Sequence, residues 1–170
     1  MKRCLVGSEM CIRDSSETFQ KNVQTIKDTW IAGYMEGDFD KVVSLMADSI
    51  QWNGPNGSTV GIEVLKESIQ FWIDNFEDVS FEEGSGLPGT NTGYWGGNTY
   101  PTAEAMSGPN NVRMYGMWSM KNSNTGKTAK VKSYAVLNFN EDGKVIEATE
   151  YGSYALSLIH ISEPTRHLFI

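Results

Sequence analysis

Between residues 16 and 36 apolar side chains return at every third or fourth position, at Phe19, Val23, Ile26, Trp30 and Tyr34, with Lys21, Lys27 and Asp28 between them. That stripe predicts an amphipathic helix. Ser16 is placed to cap its start and Gly37-Asp38 to end it. Asp38 can cap a second helix whose apolar side is Phe39, Val42, Val43 and Met46, so Tyr34 to Asp40 predicts a helical hairpin. Ser49 to Asn53 alternates as a short strand and runs into Gly54-Pro55-Asn56-Gly57, a strong turn. Gly61 to Phe76 predicts a third helix, with Ile62, Leu65, Ile69, Trp72, Ile73 and Phe76 at core spacing.

Beyond Asp78 the period changes to two. Val79 to Glu82, Val112 to Met120, Ala129 to Phe139 and Lys144 to Tyr151 predict four strands. The last three are joined by short connectors containing Asn and Gly, as antiparallel hairpins prefer. Gly84 to Asn111 is a long segment rich in glycine, with Tyr94, Trp95 and Tyr100. Its length fits a lid, a binding loop or a disordered stretch. Three helices followed by a largely antiparallel sheet define an α+β fold.

The two ends do not share these patterns. Met1-Lys2-Arg3 opens like an export signal, but Glu9, Arg13 and Asp14 interrupt the apolar run such a signal needs. One DNA string encodes Met1 to Asp14, and its reverse complement encodes Leu156 to Phe169 at every codon. That string resembles a transposon-type sequencing adapter read on both strands. The expected organisation is an adapter-derived tail at 1–15, one domain at 16–155 and a second adapter-derived tail at 156–170. The native start, and any export signal with it, would then be missing, and the compartment is left open.

Setting the tails aside removes Cys4, Cys11, His160 and His167, which are all the cysteines and histidines of the chain. Disulfide and thiolate chemistry leave with them, as do the usual ligands of zinc. No metal or cofactor is expected. Ten Lys and Arg against eighteen Asp and Glu remain between Ser16 and Tyr154, a balance of −8. Such a field opposes nucleic acid and anionic membrane, and no apolar run approaches the ~20 residues of a membrane span.

The order helix, helix, short strand, helix and four strands resembles the nuclear transport factor 2-like superfamily, particularly its SnoaL-like branch. The residues that carry the resemblance are Gly37-Asp38-Phe39-Asp40, Met46-Ala47-Asp48, Trp52-Asn53-Gly54-Pro55, Gly61, and Asp142-Gly143-Lys144-Val145-Ile146-Glu147. The resemblance implies a cone in which a curved antiparallel sheet wraps the long N-terminal helix around an apolar pocket. It also implies a small apolar ligand, with polyketide cyclases among the relatives, and a homodimer formed through the outer face of the sheet. The same cone serves isomerases, dehydratases, cyclases, an epoxide hydrolase and non-catalytic modules, so the residues must decide the chemistry. The positions that carry the acids and the phenol of ketosteroid isomerases fall on Gly54, Trp30 and Ala135, none of which moves a proton. Limonene epoxide hydrolases match in part, with their Asn on Asn53 and their Asp base on Glu150, but their Arg and second Asp fall on Gly116 and Trp118.

Alternation along the last strand puts Ile146, Ala148 and Glu150 on one face. A carboxylate on an apolar wall has its pKa raised, as suits a general acid or base, so Glu150 is the catalytic candidate. The bland alternatives are a solvated Glu150 or one paired with a lysine. Trp30, Tyr34 and Trp118 are candidate substrate-binding residues, Trp118 sharing a strand face with Met114, Gly116 and Met120; ordinary core is the alternative. Asn53 either bonds substrate or satisfies the turn that follows it. Arg113, Lys130, Lys132 and Tyr134 read as outer-face residues. The reading is a cofactor-independent isomerase, dehydratase or hydrolase of an apolar substrate, against a non-catalytic binding or dimerisation module.

Overall fold

The computed structural model describes residues 9–85, 93–96 and 108–154. Most of both tails, and 86–92 and 97–107 of the glycine-rich segment, lie outside the described residues.

The first helix is continuous but not uniform. It runs as α1 (Glu9–Ile26), a π-helical turn (Lys27–Ile31) and α2 (Ala32–Glu36). It therefore starts upstream of Ser16, because nothing in Glu9 to Ser15 breaks a helix. In the π turn the Ala32 N–H bonds back to the carbonyl of Lys27. The wider turn lets two adjacent residues, Trp30 and Ile31, both be buried. Gly37 ends the helix in the left-handed conformation, at φ 69°. Asp38 caps α3 (Phe39–Val43), its Oδ1 accepting from the Lys41 N–H at 2.9 Å. The third helix, α4, spans Ile62–Asn75.

The strands are β1 (Met46–Asn53), β2 (Thr59–Val60), β3 (Phe76–Glu83), β4 (Tyr94–Gly96), β5 (Asn111–Asn122), β6 (Thr128–Phe139) and β7 (Val145–Gly152). They form one sheet in the order β2-β1-β7-β6-β5-β3, with β4 also paired to β5. The sheet is largely antiparallel, as expected, with one exception: β1 lies parallel to β7 and every other pairing is antiparallel. The fold is α+β, with the helices packed against one face of the sheet.

Burial explains the closure. Along β5, Val112, Met114, Trp118 and Met120 are buried, and along β6 Val131, Ala135 and Leu137. The helices return Val23, Ile26, Leu65 and Ile69 to the same core. The alternate positions face outward, with Lys130 and Lys132 exposed and Arg113 bonded to the Tyr134 hydroxyl at 2.5 Å. In β7 the expected register is corrected. Phe139 pairs with Val145 and Asn138 with Glu147, leaving Ile146 as an extra, bulged residue. Val145 is buried in its place, while Ala148 and Glu150 keep the inward direction.

Candidate functional site

Inside the cone is a cavity of about 420 Å³ whose wall is largely apolar and aromatic, a size suited to a small organic ligand. The helical stripe delivers Trp30 and Tyr34, β1 delivers Trp52, α4 delivers Trp72 and β5 delivers Trp118. The rings are locked against one another. Trp30 meets Trp52 at 5.2 Å with planes 86° apart, and Tyr34 meets Trp118 at 5.8 Å and 75°. Such edge-to-face pairs hold ring orientation as well as burying area. The β1–β2 turn, at Pro55, Asn56 and Ser58, forms part of the rim.

Among the described residues, Glu150 is the only charged side chain in this lining. Its Oε1 accepts from the Tyr154 hydroxyl at 2.6 Å and from Ser133 Oγ at 3.3 Å. Among the described residues Oε2 accepts no hydrogen bond, which leaves it for a ligand. Burial pushes the Glu150 carboxyl pKa up, and the bonds from Tyr154 and Ser133 pull part of it back. Tyr34 and Tyr154 are held protonated, by burial first and by the charge of Glu150 second. The site thus combines one poised carboxyl with two phenols that remain proton donors.

Of the residues expected from sequence, Trp30, Tyr34, Trp118 and Glu150 converge on the cavity. Asn53 does not join them. Its Nδ2 donates to the Ala148 carbonyl at 3.2 Å, and its Oδ1 accepts from Thr59 Oγ1 at 2.6 Å. Its amide ties β1 to both neighbouring strands, which corrects the substrate-binding placement. Ser133 was legible as the one polar residue in the inward register of β6, between Val131 and Ala135. Tyr154 lies just past β7, where alternation no longer applies. Ala135 of β6 sits directly opposite Glu150.

No protein-family model matches the chain, and no curated protein matches it. Solved structures do. A protein from Jannaschia sp. CCS1, provisionally described as a SnoaL-like polyketide cyclase, superposes with a TM-score of 0.58 at 15% identity, over 87% of this chain and 94% of its own. A Streptomyces galilaeus protein, AclR, provisionally described as a hydroxylase, gives 0.62 at 12%, over 84% and 96%. A protein of ketosteroid isomerase-like fold from Catenulispora acidiphila, solved in complex with trimethylamine, gives 0.57 at 13%, over 82% and 93%. At such identities the likeness establishes the cone. The activities named for these neighbours differ, so the fold does not choose among them.

Proposed function

We propose that the chain is a cofactor-independent enzyme of the SnoaL-like kind, in which Glu150 moves a proton on a small apolar substrate. The observation that carries this reading is the pairing of a desolvated carboxyl with an open oxygen beside a cavity of ligand size. As carboxylate, Glu150 takes a proton from carbon or from an attacking water. As acid, it returns the proton to another atom of the same substrate, so isomerisation or dehydration needs no external acceptor. Tyr34 supplies a hydrogen bond to oxygen as charge develops there, Tyr154 holds the Glu150 carboxyl in place, and the aromatic wall orients the apolar body.

The test is a panel of enolisable ketones, β-hydroxy ketones and epoxides incubated with the protein in deuterated buffer and followed by NMR. Turnover or deuterium uptake that falls about 10²- to 10⁴-fold in Glu150→Gln supports the reading, on the scale that a general base contributes. A panel left unchanged by the wild-type protein counts against it.

The second reading is a binding module that holds its ligand without chemistry. The Catenulispora acidiphila neighbour, solved with an alkylamine, favours it. In either case the outer sheet face, where Tyr151 stacks on Tyr134 at 5.7 Å and is 58% exposed, is the surface we expect to pair two copies. Sedimentation mass is the check.

A further inference from the structure

The charge pattern of the cavity restricts its ligand more than its shape does. The lining offers the rings of Trp30, Tyr34, Trp52, Trp72, Trp118 and Tyr154, the hydroxyls of Ser58 and Ser68, and no Lys, Arg or His among the described residues. Its one ionisable group of acidic range is Glu150, with Oε2 open. An anionic ligand would meet a carboxylate and no cation. A neutral apolar ligand leaves Oε2 to a proton, the state that burial favours, and makes no use of the carboxylate charge. A cation meets both features at once. Ring faces attract it through their quadrupoles, and a desolvated carboxylate does so through its charge. The paired rings, crossed at 86°, 75° and 65°, present differing orientations around the space, as a cage for an alkylammonium head requires.

From this arrangement we infer that the cavity binds a small organic cation, an alkylated ammonium group seated among Trp30, Trp52, Trp118 and Tyr154 with Glu150 as its counter-ion. Methylated nitrogen suits the site better than a bare ammonium, because the wall provides few acceptors to replace the water that a bare ammonium would lose. The chain's overall charge of −7 favours approach of a cation over an anion.

The inference shares the cavity with the proton-transfer reading but rests on recognition alone, so the two can fail separately. Choline and its uncharged carbon isostere, 3,3-dimethylbutan-1-ol, have nearly the same shape and differ in charge. Titration of each into the full chain, followed by tryptophan fluorescence and ligand NMR, gives the comparison without any variant. The expected result is a preference for choline of about tenfold, a factor equal to ~1.4 kcal/mol. The preference should grow as pH rises through the Glu150 titration, since only the carboxylate is a counter-ion. The other titratable groups facing Glu150, Tyr34 from α2 and Tyr154 beyond β7, stay neutral throughout; Ser133 from β6 and Trp118 from β5 carry no charge. In Glu150→Gln, with folding checked by circular dichroism, the preference should shrink to what the rings alone supply.

Equal or tighter binding of the uncharged isostere overturns the inference, and so does failure of both probes to bind. If the isostere wins while Glu150→Gln still abolishes turnover of the ketone panel, the ligand class is wrong and proton transfer stands. If choline wins and no member of the panel reacts, the cavity is a receptor for the cation.

Discussion

The Tyr154 hydroxyl donates to Glu150 Oε1 across 2.6 Å, and it gets there because Gly152 has no Cβ. A Cβ on Gly152 would lie 2.4 Å from Tyr154 Cε2, inside the space the ring occupies. With any side chain at that position the Tyr154 ring would have to shift, so glycine leaves room for the phenol to reach the acid.

Removal of that phenol takes a hydrogen bond from the charged form of Glu150 only. Tyr154→Phe should therefore raise the Glu150 pKa further, because the bond that pulls it down is lost. Gly152→Ala should move it in the same direction by displacing the ring. The check is the carboxyl-carbon titration of each variant.

Glu150 also sets how stability responds to pH. Its folded pKa lies above the unfolded value, so between the two the folded state holds the extra proton. Stability is fully retained below the unfolded carboxyl value near ~4.3 and is lost as pH rises through the raised folded value. Glu150→Gln lacks this penalty. It should melt a few degrees above the wild type at neutral pH, with the gap closing in acid, as read by thermal unfolding at several pH values.

Gly116 makes room for a second aromatic contact. A Cβ there would stand 2.2 Å from Phe81 Cζ and 2.7 Å from the backbone oxygen of Glu82, and Phe81 packs on Trp118 at 4.7 Å. The carbonyl cannot move without breaking the β3–β5 pairing. Gly116→Ala should cost about 1–3 kcal/mol, an overpacking penalty visible in denaturant midpoints.

Asn53 provides a contrast between support and chemistry. Asn53→Ala removes a part-buried bond to the Ala148 carbonyl and an exposed one from Thr59. The expected loss is about 1–3 kcal/mol of stability with ligand affinity in the cavity unchanged. Denaturation and probe titration of the same variant measure both.

Much of this arrangement was legible in the residues. Trp30, Tyr34 and Trp118 sit on stripes of the right period, and Ala148 and Glu150 share a strand face, so alternation alone directs the acid inward. The details that periodicity cannot carry are those that break it. The π turn at Lys27–Ile31 adds Ile31 to the buried stripe, and the bulge at Ile146 exchanges it for Val145 in the core. The parallel β1–β7 pairing is a long-range choice with no local signal. Asn53 was ambiguous because its turn chemistry and a ligand contact call for the same residue. Tyr154 lies past the end of β7, and its ring occupies the space that a side chain at Gly152 would take.

The central claim is that Glu150 is a desolvated acid–base group facing an open cavity. Its pKa, measured by carboxyl-carbon NMR on the full chain with Glu150→Gln to assign the signal, tests that claim most directly. A value displaced upward from ~4.3 towards neutrality is the predicted result. An ordinary value would mean a solvated carboxylate and would contradict the account.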